Sequence, residues 1–261
     1  MKTDAAKLIP ALGVGTKEHI AVVGAGGKST LLFALAEELR ENGFNVVSTT
    51  TTKIWLWQRD LAPKSMYLAG TAWPDPLGKA LERYGHVFVS RKPLPSGKTA
   101  GISKDLADAI FELPGVDHVI VEADGAAGRP VKVPSEHEPV IPDSATTVIA
   151  VMGLEALFAR CVEENVFRME PFCAMTGLEI GSELSPETLT KIFLNPSGLF
   201  RGSPGDARRV AFLNKMDLVE NHGAARRLAR SILASNETRV ERVVLGSLKK
   251  NTYAVLLGDK S

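Results

Sequence analysis

The apolar positions of this chain gather in eight short runs rich in β-branched residues: HIAVV (19–23), FNVVS (44–48), SMYLA (65–69), HVFVS (86–90), DHVIV (117–121), TTVIAV (146–151), RVAFL (209–213) and RVVLG (242–246). In most of them consecutive residues are apolar instead of alternating with polar ones, which predicts strands buried on both faces, as in a parallel sheet. Between several runs the spacing changes to i, i+3, i+4. In STLLFALAEELRENG (29–43), Leu31, Leu32, Leu35, Ala36 and Leu39 share one helical stripe, and Gly43 stands where the helix should stop. Strands that alternate with helices predict an α/β fold: a three-layer sandwich with a mainly parallel sheet and right-handed connections. Residues 1–17 read as an N-terminal arm and 18–261 as one domain. The Pro/Gly-richer stretches 91–101 and 195–206 read as surface connections.

Composition narrows the classes without choosing one. At 261 residues with 44% hydrophobic content the chain can bury a substantial core, and 31 basic against 30 acidic residues leave a formal charge of +1. No overall field favours nucleic acid or an anionic membrane, so neither is expected as a partner. The only cysteines, Cys161 and Cys173, form no CxxC pair, and no basic, continuously apolar leader opens the chain; a reducing, cytoplasmic setting is the expectation. TTVIAVMGLEALFA (146–159) is interrupted by Gly153 and Glu155 and is too short to span a bilayer.

Chemistry enters at VVGAGGKST (22–30). A full GxxxxGK[ST] phosphate loop needs glycine at 22, where Val22 stands; the half nearest the helix survives as a shorter GxxGK[ST] loop, a form some ATP-dependent ligases use. Gly24, Ala25, Gly26, Gly27 and Thr30 line this turn, with glycines that let backbone amides approach phosphate oxygens. Lys28 is placed for the β- and γ-phosphates and Ser29 offers a hydroxyl to magnesium, at the positive end of a helix. A dinucleotide fingerprint from Gly24 would need glycine at 29, so that reading fails.

NKMD (214–217) follows a predicted buried strand. In an NKxD loop the carboxylate, here Asp217, accepts from guanine N1–H and the 2-amino group. The amide, Asn214, contacts the other polar edge of the base, and the stem of Lys215 lies along the ring. The bland alternative is that Asn214 and Asp217 cap the next helix. Between these motifs, EADG (122–125) resembles the magnesium- and γ-phosphate-sensing DxxG of GTPases with glutamate first. Glu122 or Asp124 could hold a magnesium-bound water, and the amide of Gly125 could meet the γ-phosphate. Thr49, Thr50, Thr51 and Thr52 fall where a switch loop would reach magnesium or phosphate; Thr51 joins Ser29 and Glu122 as an expected metal ligand. His137, between Glu136 and Glu138, has no second His or Cys at ligand spacing and reads first as part of a rigid surface loop.

VVGAGGKST, TTTTKI, VIVEADGAAGRPVKVPSEHEPVIP, VMGLEAL, EENVFR and FLNKMD, in that order over residues 18–248, carry a resemblance to the YqeC-type accessory proteins of selenium-dependent molybdenum hydroxylases. The E-x-x-G step followed by NKxD is also similar to the GTPases that insert nickel into hydrogenase and urease or load cobalamin enzymes, which belong to the SIMIBI class of P-loop NTPases. The chain lacks the Cys and His metal motifs some of them carry. The resemblance implies a P-loop NTPase-like fold, a nucleotide-binding maturation role, a molybdenum hydroxylase or its cofactor-maturation proteins as partners, and a homodimer.

The expectation is a magnesium-dependent NTPase, for GTP in preference to ATP, in which Lys28, Glu122 and Asp124 serve the chemistry. No arginine finger or water-orienting glutamine is evident beyond Arg129, so turnover should be slow without a partner. Two rivals keep the loop: an ATP-dependent kinase or ligase that uses the segment around Lys132 and His137 for a small cofactor precursor, and a non-catalytic module holding a structural nucleotide.

Overall fold

The computed structural model describes residues 2–235 and 239–258. In chain order the strands are β1 Lys2–Ala5, β2 Glu18–Gly24, β3 Val46–Thr50, β4 Lys53–Trp55, β5 Lys64–Tyr67, β6 His86–Ser90, β7 Lys92–Pro93 and β8 Lys98–Ala100. They continue with β9 His118–Glu122, β10 Val131–Lys132, β11 Thr147–Gly153, β12 Val166–Phe167, β13 Arg208–Asn214, β14 Val240–Ser247 and β15 Thr252–Leu257. The helices are α1 Leu8–Leu12, α2 Lys28–Glu41, α3 Pro74–Tyr84, α4 Lys104–Phe111, α5 Met169–Thr176, α6 Pro186–Leu194 and α7 His222–Leu233.

Ten strands form one sheet in the order β1-β15-β14-β13-β11-β2-β9-β3-β6-β5. From β14 to β5 every pair is parallel, while β15 and β1 close one edge antiparallel. All eight predicted strands are present. Alternate residues of one strand feed opposite cores, because side chains leave a strand on alternate faces: Ile20 and Val22 of β2 pack with Leu31, Leu35 and Leu39 of α2, whereas Ala21 and Val23 join the side that receives α6 and α7. Helices α3 and α4 cover Val47, Val87, Val89, Val119 and Val121. The expected three-layer α/β sandwich with a mainly parallel sheet is therefore the observed architecture.

Two stretches differ from their expectation. Residues 2–12 are integrated instead of forming an arm: β1 pairs with β15, and Leu8, Ala11 and Leu12 are buried against α2 and the sheet. So short a strand and a one-turn helix give too few residues for periodicity to show. The segment 91–101 is more than a connection, since β7 and β8 join β4 in a small antiparallel sheet. Segment 195–206 carries no helix or strand.

Three histidines without a sequence signal, His19, His86 and His118, prove to be core residues. His19 meets Ser144 Oγ at 2.8 Å and His86 meets Ser48 Oγ at 2.7 Å. Burial drives both rings from 6.5 down to about 4, against the opposing pull of Asp108 on His19 and of Glu37 on His86. Both are neutral in the fold, so the unfolded chain takes up their protons first as the solution is acidified. Their stabilisation is present above pH 6.5 and is lost as pH falls toward 4, by about 3 kcal/mol each from the size of the shift. Urea midpoints followed across that range should fall steeply. A His86→Gln variant, which cannot take up a proton, should show a shallower fall.

Candidate nucleotide site

The parallel register carries motifs far apart in sequence to one rim of the sheet, outside the carboxyl ends of its strands, where open α/β sheets bind ligands. Glu122 lies opposite Val22 and Thr50, Gly24 opposite Val151, and Asn214 opposite Gly153. The phosphate-loop sequence, the threonine run, EADG and NKMD thus meet around the start of α2.

The loop is tight because its glycines have no Cβ. At Gly26 a Cβ would lie 2.1 Å from Gly153 N, and at Gly27 2.4 Å from Asn214 Nδ2; both have positive φ. The expectation that the amides of Gly24 to Gly26 face phosphate is corrected. Gly24 N–H donates to Asp124 Oδ2 at 3.0 Å, Ala25 N–H to Val151 O at 2.9 Å and Gly26 N–H to Arg129 O at 3.1 Å. Strand β2 runs on through Gly24, so these donors face neighbouring backbone and Asp124. The first bond closing α2 runs from Leu31 N to Gly27 O, leaving the first-turn amides of Lys28, Ser29 and Thr30 outside its ladder.

Lys28, Glu122 and Asp124 are brought together and buried. Lys28 Nζ donates to Gly24 O at 2.7 Å and lies 3.3 Å from Asp124 Oδ1 and 3.8 Å from Glu122 Oε1. Ser29 Oγ donates to Glu122 Oε2 at 2.6 Å. Burial pushes the Glu122 carboxyl above its ordinary range, with Lys28 and Ser29 pulling the other way and Asp124 adding to the rise. Of the expected metal ligands the structure unites Ser29 and Glu122 and turns Thr51 elsewhere. The Thr51 hydroxyl donates to Val140 O at 3.0 Å, and only its amide reaches Glu122, at the carbonyl, at 3.1 Å. Thr50 Oγ1 also donates to Glu122 O, at 2.9 Å.

Sequence reasoning missed a buried ionic chain behind these groups. Lys132 Nζ lies 2.8 Å from Asp124 Oδ2 and donates to Gly125 O and Glu138 Oε2, each at 2.7 Å. Arg168 donates to the same Glu138 oxygen at 2.6 Å. Burial pushes the Glu138 carboxyl up, but the hydrogen bonds from Arg168 and Lys132 prevail and hold it down, from 4.5 to about 2. Lys132 and Glu138 belong to the charged segment noted in the sequence, yet nothing in their spacing showed that one points inward. His137 beside them is exposed.

NKMD divides its work differently from expectation. Asn214 is buried and clamps the phosphate loop: its Nδ2 donates to Gly26 O at 2.9 Å, and its Oδ1 accepts from Leu248 N at 3.2 Å. This clamping role was not among the expectations for the residue. Lys215 adopts a left-handed conformation and its Nζ pairs with Glu155. Asp217 is exposed, and a hydrogen bond from Ser247, helped by Lys249 and Lys250, lowers its pKa. The turn after β14 is thus part of the site, a role the sequence pattern did not signal.

Residues 20–170 match the family model described as YqeC protein. The "Uncharacterized protein YqeC" of Escherichia coli (strain K12) is 35% identical over 236 residues, 89% of this chain and 88% of that protein. The chain belongs to the YqeC family. Among solved structures, chloroplast FtsY from Physcomitrella patens aligns with a TM-score of 0.43 at 16% identity, over 93% of this chain and 63% of its own length, so the YqeC-family chain spans less than two thirds of it. HypB from Helicobacter pylori, solved in complex with nickel, aligns with a TM-score of 0.37 at 11% identity, over 90% of this chain and 81% of its own. Among the described residues no helix is long and apolar enough to cross a membrane.

Proposed function

We propose that this rim binds a nucleoside triphosphate with magnesium, guanine being preferred, and that the bound state orders the loops beyond Thr50 and Glu122. The observation that carries this is the convergence of Lys28, Ser29, Glu122 and Asp124 at the positive end of α2, with the glycine turn kept free of side chains by Gly26 and Gly27. Asp124 Oδ1 makes no hydrogen bond although buried, and has only the Lys28 ammonium at 3.3 Å. Ser29 and Glu122, a hydroxyl on a carboxylate, are the donor set magnesium takes when it keeps most of its waters; when bound, the ion neutralises charge on the phosphates.

The residues of the chain divide the remaining tasks. Lys28 exchanges Gly24 O and Asp124 for phosphate oxygens, and the first-turn amides of α2 hold the same anion. Asp124, kept in place by Lys132 and Gly24 N–H, retains the geometry of the Gly125 turn. Asp217, ionised and exposed beside Ser247, reads the two donors on guanine, while Asn214 keeps loop and base-selecting turn in register. Such a nucleotide-gated element suits the maturation of a selenium-dependent molybdenum hydroxylase, the role the family resemblance implies.

Calorimetry in magnesium tests the reading. GTP should bind the unaltered chain with ATP unable to compete, and Asp217→Ala should abolish the preference. Equal affinity for ATP would shift weight to a ligase or kinase, and turnover appearing only with a small-molecule acceptor would contradict gating.

A further inference from the structure

A second surface stands beside the threonine run, on the small sheet β4-β8-β7 and the turn that follows β4. Its register sorts the side chains. Trp55 lies opposite Lys98, while Lys53 and Lys92 both lie opposite Ala100. One face therefore carries Lys53, Trp55, Lys92 and Lys98 together, and the other buries Ile54 and Thr99. The 3-10 helix Leu56–Leu61 that follows β4 adds the exposed Trp57 and Leu61 beside it.

Burial makes this face unusual for the molecule. Trp55 is 49% exposed, Trp57 60%, Leu61 53% and Tyr67 41%, and these four are most of the large apolar side chains left open among the described residues. Charge is equally concentrated. Segments 53–67 and 91–100 hold Lys53, Arg59, Lys64, Arg91, Lys92 and Lys98 against the single acid Asp60, in a chain whose formal charge is only +1. Three of the cations are already set against rings: Lys98 Nζ lies 4.8 Å from the centre of a Trp55 ring, the Arg59 guanidinium 3.8 Å from that of Tyr67, and Lys64 Nζ 5.9 Å from that of Tyr84.

We infer that this face is the docking surface for an acidic protein segment that also presents apolar side chains. Clustered aromatic and cationic groups are what the centre of a protein interface selects, and the excess of positive charge fixes the sign of the partner. A single strand of nucleic acid fits less well, since stacking successive bases needs a run of open rings, whereas one face each of Trp55 and Tyr67 is taken by a cation and Leu61 offers no ring. The surface is also tied to the rim. Gly101 N–H, just beyond β8, donates to Thr52 O at 2.7 Å and Ile102 N–H to Thr50 O at 2.9 Å, so the small sheet is hydrogen-bonded to the segment that leans on Glu122.

The test needs no nucleotide, and so its outcome is separate from that of the site reading. Fluorescence anisotropy of a labelled peptide of alternating glutamate and leucine is titrated with the full chain, beside a lysine–leucine peptide, an oligodeoxythymidine and phosphatidylserine-containing vesicles. Expected is binding of the glutamate–leucine peptide that weakens with added salt and drops about tenfold or more in Trp57→Ala and in the Lys92→Glu/Lys98→Glu double variant. These side chains lie on the solvent side, and circular dichroism checks that the fold is kept. The inference is overturned if that peptide fails to bind, if the variants bind it unchanged, or if the oligonucleotide or the vesicles bind more tightly by the same residues.

Discussion

Lys132→Met should lower the unfolding free energy by about 3–5 kcal/mol, the cost of removing one partner from a buried ion pair. Lys132 is fully buried, and its ammonium touches Asp124, Glu138 and the carbonyl of Gly125 within 2.8 Å. Methionine fills similar space but leaves two carboxylates facing a site without their cation. Asp124 then keeps only Gly24 N–H and Lys28, and Glu138 keeps Arg168. Guanidinium denaturation measures the loss; a change below about 1 kcal/mol would show that the network is hydrated and weak. Adding Glu138→Gln should cost less than the sum of the two single changes, because the second substitution removes a charge the first left unpaired. The same Glu138 carboxylate, held at about 2, contributes stability above pH 4.5 that is lost as pH falls through 2.

The second large effect is on binding. Lys28→Ala should weaken magnesium–GTP by roughly a hundredfold or more, since two charge-assisted hydrogen bonds at about 1.5 kcal/mol or above are lost and each 1.4 kcal/mol is tenfold. The protein should still fold, because Ser29, Gly24 N–H and Lys132 continue to hold Glu122 and Asp124. Calorimetry reads the affinity, and a loss under threefold would mean that phosphates do not contact Lys28. The burden would then fall on the amides at the start of α2.

Much of the architecture could be read from one dimension. Consecutive apolar residues specify strands that must be covered twice, and a stripe such as Leu31, Leu35 and Leu39 specifies the cover. Motif chemistry was legible where it is local: Gly26, Gly27, Lys28 and Ser29 adjoin in sequence, so their juxtaposition is fixed by a single strand-to-helix turn. Roles assigned one residue at a time fared less well. Asn214, expected at a purine, holds Gly26 in place, a role no motif announced, and Thr51, expected near Ser29, bonds Val140. Both outcomes depend on which backbone groups of a distant strand end lie within reach, a quantity that spacing does not contain.

Sequence by itself thus determined the layer order, the position of the phosphate-loop turn and the candidate base-selecting carboxylate, because each follows from local periodicity or adjacent residue types. Only the tertiary structure decided that Lys132 lies under Asp124, that Arg168 closes the chain of charges through Glu138, and that Lys53, Trp55, Lys92 and Lys98 share a face. Long-range electrostatics and strand register make those choices. Neither leaves a periodic trace in sequence, since a lysine is written the same way whether it turns to water or into a buried pair of carboxylates.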